Sequence, residues 1–292
     1  MKKYFENLSL VELNSTFYQY PRPETVENWR KKVPQNFEFT VKAHQYITHK
    51  AKMKVNNTTI QSFEQMKQIC KLLHSKVLLF QTPASFKPEK LADAEELFKK
   101  LNRENLILKW ETRGSAWKTK QVRTKLAKTL KEVNVGHVTD PFIGLPTYVS
   151  KIAYFRLHGL GKRMYYYQYS NEELAKLKEL VSSFEKKVKD VYVLFNNLSM
   201  LEDATRFSEY LSQGAFPKIS SLTGADAIQN FIEKTKYPTT KSMLTRKIGW
   251  RIIETEQGKQ IRLEAIFQKL PSKTYKNVDQ LFKDLTLISR YI

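Results

Sequence analysis

Seven short apolar runs in this chain end in polar side chains, and helical patterns separate most of them. The run V-E-L-N at 11–14 supplies Glu12 and Asn14, F-E-F-T-V-K-A-H at 37–44 supplies Lys42 and His44, and V-L-L-F-Q at 77–81 supplies Gln81. L-I-L-K-W-E-T-R at 106–113 brings Lys109, Glu111 and Arg113, and V-G-H-V-T-D at 135–140 brings Asp140. I-A-Y-F-R-L-H-G at 152–159 adds Arg156 and His158, and D-V-Y-V-L-F-N-N at 190–197 adds Asn196 and Asn197. Residues two apart on an extended strand share a face, so Glu12 and Asn14 are expected to project together. A carboxylate facing a core needs a partner. Strands alternating with helices, with no hairpin signal between them, predict parallel strands joined by helical crossovers. Polar groups at the same end of every strand are how a parallel barrel builds a site. The expected fold is an α/β barrel of the TIM type.

Helical spacing is expected over 23–32, 59–73, 91–101, 117–133, 171–188 and 204–211, with Ser170 and Glu173 as a capping box for the fifth of these. The basic stretch 44–57 follows a strand end and reads as a rim loop. At Gln213-Gly214 the pattern changes. Residues 1–214 are expected to form the barrel, and 215–292 a small α+β appendage. That appendage reads as helices at 225–235, 241–247 and 277–285, with two strands over 249–267 turning at Gln257-Gly258. A short helix followed by a hairpin has the outline of a winged-helix module.

Charge narrows the partners. Lys and Arg number 50 against 29 acidic residues, a formal net charge of +21. The appendage carries 14 basic and seven acidic residues, so the surplus is spread along the chain. Such a balance favours nucleic acid or another polyanion; the competing reading is a solvated lysine-rich surface. The single cysteine, Cys70, excludes an internal disulfide and fits a reducing compartment, so a cytoplasmic protein is expected. No apolar run is long enough for a membrane span, and M-K-K-Y-F-E-N-L lacks the core of a signal peptide.

Six motifs occur in order over residues 4–211: V-E-L-N-S-T-F-Y at 11–18, F-T-V-K-A at 39–43, L-F-Q-T-P at 79–83, E-T-R-G-S-A-W at 111–117, F-R-L-H-G at 155–159 and V-L-F-N-N at 193–197. Together they resemble the YecE-like family (domain of unknown function 72). The resemblance implies a TIM-like barrel. By analogy of fold with endonuclease IV and sugar isomerase barrels it also implies nucleic-acid or sugar chemistry. The family opens with a strand ending G-T-S-G-W, which would lie before the first residue here. Seven strands are therefore expected, with the V-E-L-N strand at an edge. The gap is closed by another element, left open, or filled by a reading frame that starts upstream. An exposed edge invites cover by the appendage or by a second copy, hence an oligomer.

The strand-end groups are expected to converge on one pocket; the competing reading is an ion-pair network plugging the barrel end. Glu111 and His158 are the acid–base candidates, and Glu12 and Asp140 complete the catalytic set. Lys42, Arg113 and Arg156 would hold a phosphate or carboxylate, Arg by bidentate contact. Asn14, Gln81, Asn196 and Asn197 would contact substrate, with Glu12 and Asn14 in orienting roles. Tyr166, in a Y-Y-Y-Q-Y loop beside Lys162 and Arg163, would stack a base or simply pack the loop. His44 and His49, which flank the rim loop, read foremost as surface residues, with a substrate contact as the alternative. A single divalent metal stays open through Glu12, Glu111, Asp140 and His158, although no close-spaced histidine motif points to one and no metal ligand is assigned. The expected function is an enzyme acting on a phosphate-bearing substrate, nucleic acid foremost, by hydrolysis of a phosphoester or glycosidic bond. The alternatives are a binding protein for an anionic ligand or nucleic acid, and a sugar-phosphate isomerase or hydrolase.

Overall fold

The structure, a computed structural model, describes residues 2–289. The chain divides into two compact units, one running up to Leu157 and including Glu179–Leu194, the other combining His158–Lys178 with the chain from Phe195 onward. Among the described residues no helix is long and apolar enough to cross a membrane.

The first unit is α/β. Its elements run α1 (Lys2–Asn7), β1 (Leu10–Leu13), α2 (Pro23–Lys31), β2 (Glu38–Lys42), α3 (Asn57–Leu72), β3 (Val77–Gln81), α4 (Leu91–Lys100), β4 (Ile107–Glu111), α5 (Lys120–Glu132) and β5 (Gly136–Val138). The five strands lie parallel in sequence order. After β6 (Ile152–Leu157) comes α6 (Asn171–Glu185), then β7 (Asp190–Phe195), which pairs with β6. A parallel bridge between Thr139 and Phe155 joins the end of β5 to β6.

Strand alternation explains the two cores of this unit. Leu78 and Phe80 of β3, with Phe39, Val41, Leu108 and Trp110, face the helices and pack on Phe63, Met66, Phe98 and Leu126. Val77 and Leu79, one residue out of phase, face the other way with Leu10, Ile107, Val138, Ile152, Tyr154, Tyr192 and Leu194. A strand buried on both faces needs a continuous apolar run, which is what Val77–Gln81 supplies. The inner face also holds polar bridges between the two sheets. The Tyr154 hydroxyl meets the Thr40 hydroxyl at 2.9 Å, Tyr192 donates to Glu38, and Lys76 pairs with Asp190 at 3.4 Å.

Several expected elements change form. β1 stops at Leu13, and Ser15–Phe17 make a 3-10 turn pinned by Thr16, whose hydroxyl donates to the carbonyls of Leu13 (3.0 Å) and Lys42 (2.8 Å). Asn14 therefore sits in a helical conformation (φ −94°, ψ −17°), and the two-residue period that would align it with Glu12 no longer applies. The helix expected over 117–133 is a 3-10 turn, Ser115–Lys118, followed by α5, because the Thr119 side chain caps α5 by accepting from the Val122 N–H. The expected rim loop after β2 contains a π-helical turn, Tyr46–Lys50.

In the second unit, α7 (Met200–Gln213) ends at Gly214, which takes the left-handed conformation (φ 75°) that closes a helix. Then follow α8 (Gly224–Glu233), β8 (Thr239–Thr240), α9 (Lys241–Ile248), β9 (Ile252–Glu254), β10 (Gln260–Arg262), α10 (Leu263–Phe267), β11 (Thr274–Tyr275) and α11 (Val278–Ser289). The hairpin β9–β10 is antiparallel and turns at Gly258 (φ 78°). Its second strand is shorter than expected. Leu263, Ile266 and Phe267 have helical spacing, and all three bury in the local core as α10. The order helix–strand–helix occurs twice, as α8–β8–α9 and α10–β11–α11, and β8 pairs antiparallel with β11. The core of this region is its own: Ile228, Ile232, Leu244, Ile253, Phe267, Tyr275 and Leu281.

Candidate functional site

The carboxyl ends of β1, β4 and β6 deliver a buried ion network in the first unit. Arg156, 1% exposed at its side chain, grips Glu12 with two bonds: Nε to Oε2 at 2.9 Å and Nη2 to Oε1 at 2.6 Å. Its Nη1 donates to Glu111 Oε2. The other Glu111 oxygen accepts from Arg113 Nε at 2.8 Å. The Tyr154 hydroxyl donates to Glu12 Oε2 at 2.7 Å. Burial works against the charge on Arg156, but the two carboxylates hold its pKa above the ordinary value. Such a network is rigid, because removing one member strands a charge in a dry interior.

Lys42, at the end of β2, lies within the field of this network. It is half-buried, and its ammonium lies 4.1 Å from the centre of the Phe17 ring. Among the described residues it makes no ion pair or hydrogen bond. Burial, then the field of Arg156, push its pKa down to about 8, while Glu12 and Glu111 oppose the shift. His49 packs edge-on against the same Phe17 ring, with 4.8 Å between ring centres. Burial, then Lys42 and Arg113, hold its imidazole below the usual histidine range. Three cations, Lys42, Arg113 and Arg156, thus face two carboxylates, Glu12 and Glu111, around a neutral imidazole. One positive charge is in excess, and Lys42 is an ammonium without a hydrogen-bond acceptor among the described residues. That arrangement suits an anion.

Asn14 lies in the turn after β1, where its side chain makes no cap bond. Gln81 is buried and donates to the Thr82 carbonyl at 3.0 Å. Asp140 is 7% exposed and one of its oxygens accepts from the Phe142 N–H at 3.1 Å, shaping the loop after β5. Lys109 lies deeper, donating to the Ser150 carbonyl (2.9 Å), the Ser150 hydroxyl (3.2 Å) and the Ile152 carbonyl. With neutral acceptors only, burial pushes its pKa down to about 7.

His158, Tyr166, Asn196 and Asn197 belong to the second unit. His158 Nδ1 accepts from the Asn196 amide at 3.1 Å. Asn197 is 1% exposed and donates to the Tyr167 carbonyl (2.8 Å) and to Asp203 (2.6 Å), the posture of a structural brace. Tyr166 lies beneath the Arg163 guanidinium.

The structure therefore brings Glu12, Lys42, Glu111, Arg113 and Arg156 together. It adds Tyr154 and Phe17, which sequence reasoning missed, and His49, which read there foremost as a surface residue. Tyr154 sits two residues before Arg156 on β6, so strand alternation could have found it. His49 and Phe17 are placed by the π-helical and 3-10 turns, which leave no periodic signal. As for a metal, oxygens of Glu12 and Glu111 are taken by arginines, and no group of three or more His, Cys, Asp or Glu among the described residues could hold an ion.

Comparison with known proteins places the chain in a family. A family profile described as "Protein of unknown function DUF72" matches residues 1–223. The UPF0759 protein YunF of Bacillus subtilis (strain 168) is 26% identical over 228 residues, covering 68% of this chain and 80% of that protein. Two crystal structures share the fold. A DUF72 family protein from Thermotoga maritima MSB8 has a TM-score of 0.59 at 27% identity, covering 70% of this chain and 85% of the other. One from Enterococcus faecalis V583 has a TM-score of 0.58 at 26% identity, covering 72% and 92%.

Proposed function

We propose a function from the premise that this chain belongs to the DUF72 family of proteins of unknown function: it is an enzyme on a phosphate-bearing substrate, nucleic acid foremost. The observation that carries this reading is the Lys42 ammonium, set beside Arg113 and His49 without a hydrogen-bond acceptor of its own. A phosphoryl group between Lys42 and Arg113 would supply the missing acceptor. Arg156 then serves as the clamp that fixes Glu12 and Glu111, and Glu111 orients Arg113. The acid–base work expected of Glu111 and His158 passes to Lys42 and His49. His49, neutral at pH 7, takes a proton from the attacking water. Lys42, with a pKa of about 8, gives one to the leaving oxygen as the phosphoester bond breaks.

Two structural readings accompany this one. The seven strands belong to a TIM-type barrel, supported by the inner core that draws on both sheets and by the Tyr154–Glu12 bond across it. Among the described residues β1 pairs with β2 alone in its sheet, and that edge is a place for a second copy to dock. The barrel ends at residue 214 and the basic appendage runs from 215, supported by the Gly214 helix stop and by a separate core drawn from the residues beyond it.

The test is turnover against a panel of phosphoesters and glycosides. Lys42→Met should lower kcat at least a hundredfold while Lys42→Arg retains substrate affinity, because arginine keeps the charge but cannot release a proton near neutral pH. A second reading, a binding protein without turnover, has the two arginine-bound carboxylates in its favour. It is chosen if every substrate that binds is recovered unchanged.

A further inference from the structure

The second unit carries a basic and aromatic surface that the proposed reaction does not use. Arg163, in the loop after His158, stacks its guanidinium 3.2 Å from the centre of the Tyr166 ring, and its Nη1 donates to the Arg246 carbonyl at 3.2 Å. Tyr166 meets the indole of Trp250 edge-on, with 6.2 Å between ring centres. Trp250 is in turn tied to the end of α9, its Nε1 donating to the Lys247 carbonyl at 2.8 Å. Two segments distant in sequence thus bring Arg163 and the end of α9 to one aromatic pair; Arg251 lies 5.2 Å from the centre of the Trp250 ring, and Lys162, Arg163, Arg246 and Lys247 are exposed. Among the described residues no carboxylate pairs with any of them. The nearby acid, Glu202, is occupied by Arg251 at 2.9 Å.

A helix end favours cations, which accounts for Arg246 and Lys247 in the last turn of α9. The same helix end draws Arg163 to the Arg246 carbonyl from another loop, and it leaves these cations gathered without a counter-ion. Like charges gathered without counter-ions lower the cost of binding a polyanion, and partly exposed rings among them offer a stacking platform. We propose that this surface binds single-stranded nucleic acid, with phosphates on Arg163, Arg246 and Lys247 and a base against Trp250. Short ssDNA and ssRNA satisfy the same chemistry. An extended duplex fits it less well, because its bases are stacked away from the protein. The inference goes beyond the reaction proposed for the first unit and holds whether or not that unit turns over a substrate. Three of the groups, Arg246, Lys247 and Trp250, lie beyond the stretch that the family profile matches.

The experiment measures binding of labelled dT and U 12-mers, and of a duplex of the same length, to the full chain by fluorescence anisotropy over a range of salt. Arg246→Glu with Lys247→Glu should weaken single-strand binding at least tenfold. The pair should also lower the slope of log K against log salt by about 1.4, since each phosphate contact contributes about 0.7 on single strands. A charge-matched control in the first unit, Lys125→Glu with Lys128→Glu, should change binding less than threefold. Trp250→Ala should cost about tenfold or more and Trp250→Phe much less. An equal loss in the control, duplex binding as tight as single-strand binding, or displacement by polyglutamate as effective as by oligonucleotide would overturn the proposal.

Discussion

Arg156 is the residue on which the candidate site rests. It neutralises Glu12 and Glu111, whose side chains are 5% and 6% exposed. Arg156→Met should therefore destabilise the first unit by about 3–5 kcal/mol at pH 7, since it leaves the buried Glu12 without a cation and Glu111 with Arg113 alone. Denaturant unfolding of both proteins from pH 7 down to pH 4 checks this. The gap should narrow as the carboxylates take up protons, whereas a gap independent of pH would mean that lost packing is the cause. At this scale the sequence was informative where strand geometry set the side chain. Glu12, Lys42, Glu111, Arg113 and Arg156 all follow from apolar runs that end in charge. It was silent where an irregular turn set it, as for His49 and Phe17. Asn14 shows the same limit from the other side: two residues from Glu12, it left the strand period because Thr16 holds the chain in a 3-10 turn.

Among the elements, the β4–β5 pair carries an internal titration. Lys109 of β4 lies against Gly136 of β5, where a Cβ would come within 2.4 Å of the Lys109 nitrogen, so glycine makes room for the ammonium. Its pKa falls from 10.5 in the unfolded chain to about 7 in the fold. The unfolded state binds the proton more tightly, so folding stability drops as pH falls from 10.5 towards 7, and the full penalty is present below 7. Lys109→Met should flatten the stability–pH curve over that window, less what Lys42 contributes between 10.5 and about 8. Thermal melts at half-unit pH steps measure it, and an unchanged slope would show that Lys109 is charged at no cost. Element type was legible from periodicity for most helices and all seven strands of the series. The breaks at Thr119 and at the start of α10 were not. A capping hydroxyl ended one pattern early, and a run compatible with a strand also had the 263, 266, 267 spacing that buries as a helix.

For the whole molecule, the end of α7 at Gly214 was readable because a helical pattern meets a glycine stop there. The grouping of 158–178 with the C-terminal chain was not, because it rests on single contacts such as Ile252 N–H to the Gln168 side chain (2.9 Å) and Asn171 N–H to Gln260 (2.8 Å). The net charge of +21 also sets how the site must be tested, since it draws any polyanion at low salt. A small dianion that does not titrate near neutral pH, read in high enough salt to screen the surface, isolates the pocket. The most direct measurement is the affinity for sulfate by calorimetry from pH 6.5 to 9.5, on the native chain and on Lys42→Met. If Lys42 and Arg113 form the anion site, native affinity falls as pH rises through about 8, where Lys42 loses its proton, and Lys42→Met binds weakly with little dependence on pH. Equal affinity in the two proteins, or native affinity that climbs with pH, would contradict the account.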